Sequence, residues 1–205
     1  MALQEKLKIV EFAKSYFEEI GKVGAQLDVS TLEPIADILA QAIKSEKVIC
    51  FIGNGGSAAI ANHLLCDFSK GIASDTELSP RVVSFASSPE IITALGNNVS
   101  FDEIYSEQVR KFCRPGDVLF SISSSGNSPD IVNAISAAKE KDVTTVALTG
   151  FDGGRSRTLA DYSIHVQAEN YGVVEDMHQS LLHILAQHIR CINLKHGTDA
   201  TSIKF

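Results

Sequence analysis

Val48-Ile49-Cys50-Phe51-Ile52-Gly53-Asn54-Gly55-Gly56-Ser57 is the stretch that decides the fold. Its apolar run is too short for a helix and leads straight into a glycine-rich turn, after which a helical pattern begins at about Ser57. A short apolar run without polar alternation reads as a strand buried on both faces, and such strands belong to parallel sheets. The same rhythm recurs downstream in Arg81-Val-Val-Ser-Phe85, Val118-Leu-Phe-Ser-Ile122, Val143-Thr-Thr-Val-Ala-Leu148 and Tyr162-Ser-Ile-His-Val166. The run at Val118 also ends in a loop of small residues, Ser123-Ser-Ser-Gly-Asn-Ser-Pro129. Its proline suits the first turn of a helix. Strands alternating with helical patterns predict an α/β fold, a three-layer sandwich with a five-stranded parallel sheet flanked by helices.

Upstream, residues 1–47 read as two helices. Leu3, Leu7, Val10, Phe17 and Ile20 recur near helical spacing, and Gly21 and Gly24 weaken the end of that pattern. Asp28-Val-Ser-Thr31 offers caps for a second helix carrying Ile35, Ile38, Leu39 and Ile43. Two helices cannot bury both faces on themselves, so this extension must pack on the body or on another copy of the chain. A last helical pattern covers about Val173 to Lys195. With no linker, repeat or low-complexity tract, residues 1–205 are expected to form one domain.

The chain has 205 residues, 44% hydrophobic and 21% charged, which excludes a disordered tail, a collagen-like fibre and a disulfide mini-protein. Its 18 Lys+Arg against 25 Asp+Glu give a net charge of -7. No basic stripe is present, so no nucleic-acid partner is expected. Cys50, Cys66, Cys113 and Cys191 form no CxxC pair and read as buried free thiols in a reducing compartment. The N-terminus shows no basic region or cleavage site of a secretory leader, and no apolar run approaches the roughly 20 residues that span a bilayer. A cytoplasmic protein with no membrane partner is the expectation.

In a parallel sheet, ligands gather beyond the carboxyl ends of the strands. Both small-residue loops sit there. Glycines let the backbone approach an anion, hydroxyls donate to it, and the following helix N-terminus adds free N–H groups. Neither loop ends in Gly-Lys-Ser/Thr, and there is no GxGxxG fingerprint, so a nucleotide cofactor is not expected. His63 and Asp67 stand four apart in the helix after the first loop and share a face, a usable half of a metal site. Glu175, His178 and His183 fall within the last helix. Glu175 and His183 are about 12 Å apart in rise, and meet one metal only if both lean toward a point between them. His178 points away from His183 and reads as a neighbour serving an interface or another subunit. His165, His188 and His196 read as structural.

Taken in order, Gly53-Asn-Gly-Gly-Ser57, His63, Ser123-Ser-Ser-Gly-Asn-Ser128, Leu148-Thr-Gly-Phe-Asp-Gly-Gly154, Glu175-Asp-Met-His178 and His183 resemble the sugar isomerase (SIS) domain family. The likeness spans nearly the whole chain and looks like the phosphoheptose isomerase branch. It implies a homotetramer with active sites at subunit interfaces. It also implies aldose–ketose isomerisation of a seven-carbon sugar phosphate, sedoheptulose 7-phosphate, feeding heptose into bacterial lipopolysaccharide or capsule. The implied cofactor is a divalent metal, zinc in some members, held by His63, Asp67, Glu175 and His183. The implied phosphate and sugar contacts are Ser123, Ser124, Ser125 and Ser128 with Asn54, Gly55, Ser57, Asn97, Asn98 and Glu175. Asp67 takes the part of the base and His183 that of its acid–base partner. Asp67 stands where the family usually has Glu, Glu175 where it has Gln, and Asn98 where it has Asp in a middle loop. Asn170-Tyr-Gly-Val-Val174 lacks the acidic residue usual before the last helix. The alternative is a non-catalytic phosphosugar-binding module, or a tetramer that binds a replication initiator. Four metal-capable groups speak against a pure scaffold.

Overall fold

The computed structural model describes residues 8–198; Leu3 and Leu7 of the expected first helix lie outside them. Five strands are present, β1 (Val48–Gly53), β2 (Arg81–Ser84), β3 (Val118–Ser123), β4 (Thr144–Thr149) and β5 (Tyr162–His165). Each lies within one residue of its expected ends. All pair in parallel, in the order β2-β1-β3-β4-β5. Around them lie α1 (Ile9–Gln26), α2 (Leu32–Lys44), α3 (Gly56–Cys66), α4 (Pro89–Asn98), α5 (Ser106–Phe112), α6 (Pro129–Lys139), α7 (Gly154–Leu159) and α8 (Tyr171–Ile192). The period of two along each strand divides the core. Ile49, Phe51, Phe120, Val146 and Leu148 face α2, α3 and α8. Cys50, Ile52 and Leu119 face α5 and α6. Both faces of β1 and β3 are therefore apolar, which is why these strands carry no alternation.

The strand order reverses between β1 and β3. From β1 the chain crosses to one side, and from β3 to the other, so the loops that follow them diverge and leave a crevice between. The two small-residue loops occupy this switch point.

α1 continues through Gly21 and Gly24 to Gln26. Packing accounts for the extra length: Val23 is buried, a Cβ on Gly24 would stand 3.7 Å from Met177 Cε, and Tyr16 Oη donates to Asp176 Oδ2 at 2.7 Å. These contacts with α8 outweigh the roughly 1 kcal/mol that a glycine costs inside a helix. α2 buries Ile35, Leu39 and Ile43, and Asp28 accepts from the Ser30 N–H just before it. Thus both leading helices dock on the body. The opposite side of α1 still exposes Ile9, Val10, Phe12 and Phe17.

His178 departs from expectation. It is wholly buried, beside the Thr149 backbone, and cannot reach another subunit. Burial pushes its imidazole down to about 4, and the Thr149 contact opposes this only weakly. The ring is neutral in the fold, while the unfolded chain takes up a proton below about pH 6.5. Stability is therefore full above that pH and falls as the pH drops from 6.5 toward 4, by up to ~3 kcal/mol. Urea unfolding at pH 7.5 and 4.5 should show a smaller acid loss for His178→Leu than for the parent; equal losses would show that His178 titrates normally.

Candidate active site

β1 ends and α3 begins within four residues, and the turn is possible because of its glycines. A Cβ on Gly53 would stand 2.6 Å from the Ser57 carbonyl oxygen, and one on Gly56 would overlap the Glu175 carboxylate arriving from α8. The loop is held from the other side of the sheet. Tyr105 Oη donates to the Gly53 carbonyl at 2.5 Å, and Asn54 Nδ2 donates to Asp130 Oδ2 at 2.8 Å. Tyr105 and Asp130 are both buried. Burial raises the pKa of the Tyr105 hydroxyl and of the Asp130 carboxyl above their ordinary values, the latter opposed by the Asn54 hydrogen bond.

The serine loop is clamped by the turn after β4. Gly150 N donates to the Ser124 carbonyl and Ser156 N to the Gly126 carbonyl, both at 2.8 Å, and Arg155 N reaches Asn127 Oδ1 at 3.1 Å. Gly126 has φ +65°, and a Cβ there would overlap the Gly153 carbonyl oxygen. The stretch Leu148-Thr-Gly-Phe-Asp-Gly-Gly154 thus fixes the shape of the serine loop. The Ser124 hydroxyl is buried and has no hydrogen-bond partner. Ser128 precedes α6 without capping it, which leaves its hydroxyl available. Asn54, Ser57, Ser123, Ser124, Ser125, Ser128 and Glu175 line one pocket of about 150 Å³, together with Tyr171 and Ile122. Among the described residues, no Lys or Arg lines it.

A second cluster forms further along α3 and α8. α3 passes into a π-helical turn, Asp67–Gly71, which buries Asp67. Asp67 Oδ2 lies 3.3 Å from His63 Nε2 and 2.8 Å from His183 Nδ1. Gln179 Nε2 sits 3.0 Å from His183 Nε2, and the two imidazoles meet edge to face at 5.2 Å. One ligand atom from each of His63, Asp67 and His183 falls within 4.8 Å of the others. Both imidazoles thus converge on the same Asp67 oxygen. Two imidazole nitrogens and a carboxylate oxygen are the donors that zinc takes, and three protein ligands are the number that catalytic zinc sites use.

Four expected site residues depart from at least one of their expected places. Glu175 lies outside the metal-type cluster. Its position two turns before His183 on a straight helix puts it in the serine-loop pocket instead, against Gly56. Asn97 and Asn98 end α4 rather than forming a loop; both are exposed, and Asn97 Nδ2 donates to Asn98 Oδ1 at 3.0 Å, away from the pocket lining. Gly55, with φ +53°, shapes the first turn but lines neither cluster. Tyr105, Asp130, Tyr171 and Gln179 were not anticipated. Asp130 follows Pro129 at a helix start, where an acidic residue is commonplace, so its buried contact leaves no signature in the sequence.

This arrangement can bind an anion at one end through neutral donors and move protons or hold a cation at the other. The model of the SIS domain matches residues 15–150, and the chain belongs to that family. Its relatives place it in the phosphoheptose isomerase branch. It is 32% identical to the probable phosphoheptose isomerase of Thermoplasma acidophilum, over 86% of this chain and 97% of that one. The phosphoheptose isomerase of Nitratidesulfovibrio vulgaris is 38% identical over 73% of this chain and 71% of its own. The solved phosphoheptose isomerase of Neisseria gonorrhoeae superposes with a TM-score of 0.82 at 30% identity, covering 90% of this chain and all of that one.

Gly126→Ala meets both a left-handed backbone and a backbone oxygen that cannot move aside. It should lower stability by about 2 kcal/mol or more, read by denaturant unfolding. Protection of the protein by inorganic phosphate against thermal unfolding should disappear with it.

Proposed function

We propose that this chain interconverts the ketose and aldose forms of a sugar phosphate, with sedoheptulose 7-phosphate as the substrate. One observation carries the reading: the serine-lined pocket and the His63–Asp67–His183 cluster share the same two helices. By helical rise, Ser57 and His63 are about 9 Å apart on α3, and Glu175 and His183 about 12 Å apart on α8. A sugar phosphate anchored at the serine loop extends its carbonyl end toward the cluster. The phosphate is met by the Ser123, Ser124, Ser125 and Ser128 hydroxyls and the α6 N-terminus. Asn54, Ser57 and Glu175 face the sugar hydroxyls.

Isomerisation needs a base to take the proton from the carbon beside the carbonyl and to return it to the neighbouring carbon. Asp67 serves as that base. Both imidazoles address its Oδ2, which leaves Oδ1 for the proton. His183, between Asp67 Oδ2 and the Gln179 amide, is the acid–base partner of Asp67. A divalent cation such as zinc would be held by His63, Asp67 and His183 and would supply positive charge beside the oxygens that become negative. The exposed apolar side of α1 fits burial between subunits of a homotetramer. Among the described residues, no helix is long and apolar enough to cross a membrane. We take the setting to be a cytoplasmic enzyme feeding heptose into lipopolysaccharide or capsule.

Incubation with sedoheptulose 7-phosphate should give the aldose isomer. A chelator should suppress the conversion, and added zinc should restore it. Asp67→Ala should lose at least about 100-fold in turnover with an unchanged circular dichroism spectrum; near-parental turnover would overturn the role of Asp67. No conversion by the parent at any metal level would leave a phosphosugar-binding module. Light scattering should report a tetramer, and Phe17→Glu should reduce its mass.

A further inference from the structure

Asp130 is 2% exposed, at the second position of α6, behind the wall of the serine-lined pocket. The Asn54 amide, at 2.8 Å, is its side-chain hydrogen-bond partner. A carboxylate only accepts hydrogen bonds, so the Asn54 nitrogen must turn toward it. Asn54 Oδ1 is then the atom left for the pocket, whose lining also includes Ser123, Ser124, Ser125 and Ser128. We propose that Asp130 is a positioning residue that sets the polarity of the pocket: it holds Asn54 with its carbonyl oxygen toward the ligand, so that this side reads a sugar hydroxyl and rejects phosphate. The inference rests on the sugar-phosphate reading of the site. An amide free to flip would offer its NH2 group to phosphate, and the ligand could seat either way round. Asp130 removes that freedom without touching the substrate.

Asp130→Asn keeps the shape but lets both amides turn. Calorimetric titration of the parent and of Asp130→Asn, with sedoheptulose 7-phosphate and separately with inorganic phosphate, tests the idea, with turnover followed alongside. Affinity for the sugar phosphate should fall about five- to tenfold, the scale of one hydrogen bond. Affinity for inorganic phosphate should stay the same or rise. Tightening of both ligands would reveal simple removal of a negative charge, and weakening of both a collapsed pocket; either result, or no change in either, overturns the proposal. In an Asn54→Ala background, adding Asp130→Asn should no longer separate the two ligands, and persistent separation would also overturn it. If Asp130→Asn does not fold, Asn54→Ala alone decides, since it should weaken the sugar phosphate and spare phosphate. A parent that binds the sugar phosphate without converting it would sink the isomerase reading while the two affinities still judge Asp130.

Discussion

Four chain segments meet over the serine-lined pocket with no room for a side chain between them. Gly126 rests on the Gly153 carbonyl, Gly154 on the Ser125 carbonyl, and Gly56 on the Glu175 carboxylate. The strand order opens a crevice at β1 and β3, but these close approaches reduce it to a pocket of about 150 Å³. They also place α8. Only because Glu175 can press against bare backbone at Gly56 does α8 run close enough to α3 for His183 to reach Asp67 two turns later. The glycines of the first loop thus govern a cluster to which they contribute no atom.

The two ends of the site use opposite electrostatic strategies. The serine-lined end relies on uncharged donors and the dipole of α6, with an unpartnered buried hydroxyl at Ser124. The other end gathers a buried carboxylate and two imidazoles. Negative charge at Asp67 is welcome there, because protons or a cation must be held. Of the substitutions relative to the usual family pattern, Asp67 respects this division and Glu175, which lines the serine-loop pocket, does not. Asp67 is a shorter carboxylate, but the π-helical turn lodges it between both imidazoles. Glu175 brings its charge to the start of α3, where the helix dipole favours an anion.

Much of this was legible because the signals are local. Apolar runs of five or six residues, each followed by glycine or serine, gave β1 and β3 and the places where a ligand would gather. The i, i+4 pair His63 and Asp67 was visible as one helical face. What stayed hidden depends on distant contacts. That α1 runs through two glycines is settled by Met177 and Asp176, more than 150 residues away in the chain. Whether Glu175 joins His183 or the serine loop depends on the lean of α8, and the periodicity of one helix does not encode that. His178 shares an ordinary helical pattern with its neighbours, and only the packed sheet shows that it faces inward. Asn97 and Asn98 looked like a loop because Gly-Asn-Asn ends a helix as readily as it makes a turn.

Phosphate recognition through hydroxyls and backbone, as proposed, on a chain of net charge -7, would have a kinetic consequence. The long-range field of the molecule repels a dianion, and attraction begins only within hydrogen-bonding distance. Encounter is then slowed rather than steered, and it quickens as salt screens the repulsion, the reverse of what a lysine- or arginine-lined site shows.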